Sequence, residues 1–70
     1  MRKKQLIALG SRSRRQPKAN EKLLVEILEF GTREVGEVID DLVGQLGLPS
    51  AVVRKLIKTA ILAGLVVILE

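Results

Sequence analysis

Five hydroxyls, Ser11, Ser13, Thr32, Ser50 and Thr59, are the candidate nucleophiles of this chain, because Cys, His and Tyr are absent. Without an imidazole or a thiolate, none of them has a plausible base to activate it near neutral pH. The expectation is a protein with no catalytic residue, not an enzyme. Glu34, Glu37, Asp40 and Asp41 are numerous enough to gather a divalent cation, yet their spacing follows no known calcium loop. They read instead as a solvated acidic face, and no metal or cofactor is expected. Gly10-Ser11-Arg12-Ser13 neither follows a strong strand nor opens a helix, so it is not a phosphate loop.

The remaining chemistry is cationic. Residues 1–18 hold seven cations, Arg2, Lys3, Lys4, Arg12, Arg14, Arg15 and Lys18, and no acid, whereas residues 19–70 hold five cations against eight acids. The basic character therefore belongs to the N-terminal segment. Within the rest, the one stretch that is cationic without a carboxylate is residues 49–64, which carry Arg54, Lys55 and Lys58. Cations gathered on one helix and on an adjoining arm are the electrostatic footprint of a polyanion partner. Phe30 is the only aromatic residue, so stacking on single-stranded bases is not expected.

Three helices are needed to position those cations. Leu23, Leu24, Ile27, Leu28 and Phe30 recur mostly at helical spacing after Asn20, a favourable N-cap, and this helix ends at Gly31. Thr32-Arg33-Glu34-Val35 is too short for a helix and reads as a strand or extended link. A second helix over residues 37–46 buries Val38, Ile39, Leu42, Val43 and Leu46, and its Gly44 suggests close approach of the next helix. After Gly47, Pro49 and Ser50 open a third helix running to about Ala63. It sets Val53, Leu56, Ile57 and Ala60 on one side and Ala51, Arg54, Lys55 and Lys58 on the other. Leu65-Val66-Val67-Ile68-Leu69 is apolar without alternation, which predicts a strand covered on both faces or in an interface. Leu6–Leu9 is either a further strand or an unstructured apolar spot. The domain division that follows is a basic flexible arm over residues 1–18 and a folded domain over 19–70. The uncharged run at residues 60–69 is far short of the ~20 residues needed to cross a bilayer.

The Leu46-Gly47-Leu48 turn, the Val53-Arg54-Lys55-Leu56 block and Lys58-Thr59 followed by Ala63-Gly64-Leu65-Val66 resemble the turn, recognition helix and sheet entry of winged helix-turn-helix DNA-binding domains. The resemblance covers residues 20–69. It implies a mainly α fold: a three-helix helix-turn-helix bundle of winged-helix type with a minimal β-sheet. By the same resemblance the third helix lies in the major groove, with Ser50, Ala51, Arg54, Lys55 and Lys58 at the nucleic acid. The seven cations of the arm would contact phosphates or enter a minor groove. In two respects the chain departs from the pattern. The family has a further strand after its wing loop, and nothing follows Glu70 to supply it. The sheet is then residues 32–35 with 66–69 alone, or Leu6–Leu9 adds a strand, or a second subunit does. Ile61 and Leu62 are apolar where the family often carries charge, so Ile61, Leu62, Val66 and Ile68 are expected at the interface of a homodimer or larger assembly.

These readings lead to a small DNA-binding transcriptional regulator or chromosome-associated protein, cytoplasmic and held at the nucleoid. The alternative is a ribosomal protein with a winged-helix body and a basic tail on structured RNA, and the third is a protein-interaction module.

Overall fold

Apolar residues at helical spacing fold into three helices, α1 (Ala19–Glu29), α2 (Val35–Leu46) and α3 (Ser50–Leu62). The structure, a computed structural model, describes residues 1–11 and 13–69; Arg12 and Glu70 lie outside the described residues. Three short strands accompany the helices: β1 (Leu6–Leu9) precedes α1, β2 (Arg33–Glu34) precedes α2, and β3 (Val66–Leu69) follows α3. The fold is mainly α, three helices with a small antiparallel sheet in a winged-helix-like arrangement.

Each helix buries one stripe. Leu24, Ile27 and Leu28 of α1, Val35, Val38, Ile39 and Leu42 of α2, and Val53, Ile57 and Ala60 of α3 share one aliphatic core. Their spacing of three and four residues puts each set on a single helix face. α2 ends where Gly47 takes up φ +67 and donates its N–H to Val43 O. That left-handed position closes the helix cheaply only with glycine. Leu48 and Pro49 then lead directly into α3, completing a helix-turn-helix.

The sheet order is β2-β1-β3, so the N-terminal strand is the central one. β1 pairs antiparallel with both neighbours: Leu6 lies opposite Glu34 on one side and Leu69 on the other, and Leu9 lies opposite Val66. Ile7 is fully buried among the helices, with α1 packed against β1 and α3 against β3. Gly10 follows at a point of very close approach, its N–H donating to Leu65 O at 2.9 Å. A Cβ there would sit 2.1 Å from the carbonyl oxygen of Gly64, a distance no side chain tolerates.

Residues 1–18 are thus not an arm beside a domain that begins at residue 19. They contribute the middle strand, because Leu6–Leu9 has Ile7 to bury and edges on both sides that need a partner. Of the possible sheets, the one with Leu6–Leu9 as third strand is the one present, and β2 and β3 never touch within it. α2 starts two residues earlier than the pattern of its own side chains indicates. Its first N–H groups, on Val35 and Gly36, donate to Gln5 O and Lys3 O, each at 2.8 Å. These acceptors come from the leader of β1 and satisfy donors that a helix start otherwise leaves open. α1 likewise begins at Ala19 with Lys18 as its N-cap, not at Asn20. Gly44 does not serve close helix packing, since a Cβ placed there meets nothing within 4 Å. β3 is covered on one face only: Val66 is buried while Val67 and Leu69 are exposed.

Candidate nucleic-acid interface

The outer face of α3 follows from its buried one. With Val53, Ile57 and Ala60 fixed in the core, Ser50, Ala51, Lys55, Lys58, Thr59 and Leu62 are turned to solvent. Arg54 is half-buried on the flank of that face. The helix and the strand after it contain no carboxylate through Leu69, so nothing on these elements offsets the three cations. Thr59 Oγ1 donates to Lys55 O at 3.0 Å, leaving its lone pairs outward.

Arg14 is brought to the end of this face by the backbone. Its N–H donates to Ala63 O at 2.7 Å, which fastens the connector of residues 10–18 across the C-terminal turn of α3. Arg14, Arg15, Thr59, Leu62 and Ala63 line the shallow depression formed there. Thr59, which the pattern of charges alone does not single out, belongs to this surface. Its position four residues after Lys55, on the same helix face, is the signal for it.

The neighbouring Arg15 is differently engaged. Its guanidinium grips the Glu21 carboxylate through both nitrogens, at 2.6 and 2.8 Å. Glu21 is buried, and its Oε1 also accepts the Lys18 N–H at 2.9 Å. Glu21 is the third residue of α1, the position from which a carboxylate reaches back to the N-cap amide. The lysine ammonium at the cap has no lone pair with which to return the bond. The hydrogen bonds from Arg15 hold the Glu21 carboxyl below the ordinary carboxylate range, against burial, which pushes the other way. The same bonds raise the Arg15 guanidinium. Arg15 is therefore a clamp on the start of α1, its guanidinium engaged by Glu21 where the sequence pattern had it free for a phosphate.

The other expected cations divide by position. Arg2 and Lys4 flank a second depression with Gln5, Leu6 and Leu69, at the far end of the sheet from Arg14. Along β3 the two cationic ends are separated by roughly 10 Å, three strand steps. Lys3 lies over the start of α2, its carbonyl bonded to Gly36 and its Cβ 3.2 Å from where a Gly36 side chain would begin. Lys18 is exposed at the cap of α1. Arg12 lies outside the described residues.

The residues expected at a partner interface are mostly turned inward. Val66 is fully buried, and Ile61 and Ile68 pack against the core. Only Leu62 stands clear, at 77% exposure. The reason lies in the strand's parity. Pairing with β1 turns Val66 and Ile68 toward the helices, and Val67 and Leu69 away from them. Comparison of the chain with family models, with characterised proteins and with solved structures finds no match.

Proposed function

We propose that this chain is a non-enzymatic nucleic-acid-binding protein of winged helix-turn-helix type that takes duplex DNA, in the service of transcription or chromosome organisation. The observation that carries the reading is the carboxylate-free face of α3, with Lys55 and Lys58 exposed on it and Arg14 tied by its backbone to the end of it. In this reading Ser50, Ala51 and Lys55 meet base edges in the major groove, where a helix fits and each base pair shows a distinct pattern of donors and acceptors. Lys58 and Arg14 lie on phosphates, as do Arg2 and Lys4 at the other end of the sheet. Phosphate contacts fix register and carry most of the salt dependence, while base contacts discriminate sequence.

The test is a titration of labelled duplex DNA and of a structured RNA hairpin at two salt concentrations. The expected result is tighter binding of DNA, with an affinity that falls linearly in log–log with salt. Replacing both Lys55 and Lys58 by Ala should weaken binding and lower the steepness by about 0.9 for each phosphate contact removed. Unchanged affinity in that double variant rules out α3 as the reading element. Preference for the hairpin moves the reading to structured RNA of the ribosomal kind.

A further inference from the structure

The two edges of the sheet are treated oppositely. At one edge β2 is only two residues long, and both are charged; Arg33 is held by Asp41 of α2 at 3.2 Å. Short length and charge are the usual means by which an edge strand is kept from pairing with another chain. At the other edge β3 reads Val66-Val67-Ile68-Leu69, with no charge, proline or glycine. Among the described residues, no backbone hydrogen bond reaches β3 from any segment other than β1. The side chains on the outward face repeat the contrast. Leu6, Val67 and Leu69 form an aliphatic strip there, each about two-fifths exposed at 42, 39 and 40%.

We propose that β3 pairs antiparallel with β3 of a second copy of this chain, joining two three-stranded sheets into one of six strands. A strand edge presents alternating donors and acceptors, and an identical strand related by a two-fold axis offers the complementary set. The strip of Leu6, Val67 and Leu69 then runs unbroken across the join. The charged two-residue β2 edges face outward at both ends, so the assembly closes at two copies and does not grow into a fibre. Because α3 packs against β3, the join also puts both α3 helices on one side of the common sheet, related by the two-fold. The inference rests on the edges of the sheet and needs no nucleic-acid contact.

Sedimentation velocity on the full chain without nucleic acid, from micromolar to millimolar concentration, reads it directly. The expected mass rises from 7.7 kDa to twice that value. Val67→Lys and Leu69→Lys place like charges along the join and should weaken self-association about tenfold or more, with the circular dichroism spectrum retained. Leu62→Lys, on α3 away from the edge, should leave it unchanged. In a mixed sample of labelled and unlabelled wild-type chains, isotope-filtered contacts between the two β3 strands are expected; this measurement stands even where a strand variant fails to fold. A monomer at every concentration overturns the proposal, as does a dimer lacking those contacts or one dissociated by Leu62→Lys alone. Salt separates this result from the nucleic-acid reading: two like-charged copies associate at least as well in high salt, whereas a polyanion is released.

Discussion

Residues 1–9 and 10–18 are both basic, with three and four cations and no acid, but only the first carries a run of aliphatic residues, Leu6 to Leu9, and the two do different work. The first stretch is woven into the domain through β1, the Ile7 side chain and two carbonyls that cap α2. The second lies over the surface, touching the body at Gly10, Arg14 and the Arg15–Glu21 clamp. The difference shows that a cationic run is not one functional unit. A side chain that can be buried, and backbone groups that can be paired, decide which part of it folds.

The comparison is broken most severely by removing the first stretch. A chain lacking residues 1–9 loses the middle of the sheet and should show no cooperative thermal transition by circular dichroism; retention of the native helical signal would mean that β1 is dispensable. Ile7→Ala, which empties a fully buried site, should cost about 2–5 kcal/mol. For a domain this small that is most of its stability, so denaturant unfolding should show a largely unfolded population. Gly10→Ala is the next smaller effect, because the new methyl meets the Gly64 carbonyl and the strand must shift. A loss of about 1–3 kcal/mol is expected, read as a drop of about 4–24 °C in melting temperature.

Glu21→Gln tests the clamp and its pH dependence. The wild-type carboxyl titrates lower in the folded state than in the unfolded chain, where carboxylates lie near ~4.3. Its stabilising contribution is therefore complete above the unfolded value and disappears as pH falls through the folded one. The variant should melt below wild type at neutral pH by a margin smaller than that of Gly10→Ala. The two curves should converge in acid, and a gap that persists there would show that the charge is not what matters. The smallest effect on stability belongs to Arg14→Ala, whose side chain is exposed and which, among the described residues, is bonded through its backbone alone. Its melting temperature should match wild type, and its DNA affinity should fall with a shallower salt slope by about 0.9. An unchanged slope would take Arg14 out of the interface.

The helices were legible because three sets of aliphatic residues recur at three- and four-residue spacing, and the face of α3 followed from Val53, Ile57 and Ala60. The strands were legible only in part: residues 65–69 and 32–35 read as extended and are strands, but neither the choice of Leu6–Leu9 as the middle strand nor the inward face of β3 could be read. β1 has only four residues, and just one of them, Ile7, is fully buried, so no alternation of residue type marks it out within a basic run. β3 is aliphatic at every position, so its own residues cannot say which side faces in; only its register against β1 decides that Val66 is core and Val67 is surface. Caps supplied from afar are invisible to local pattern in the same way. Nothing near Val35 and Gly36 shows that the carbonyls of Gln5 and Lys3 will accept the first hydrogen bonds of α2. Arg14 and Arg15 were alike in sequence because the distinction between them is made by Glu21, six residues beyond Arg15, which takes the third helical position and reaches back to the cap only once α1 begins at Ala19.

The pairing of Leu6 with Leu69 also bears on speed. Helical bundles form mostly from near neighbours in the chain and are quick to fold, whereas pairings of distant segments must first close a long loop. Here the central strand finds β3 only after nearly the whole chain has been traversed. Refolding should therefore be slower than in a three-helix bundle of the same length, with the helices gathering early and the β1–β3 ladder forming in the rate-limiting step. Substitutions along that ladder should therefore slow folding more than they speed unfolding.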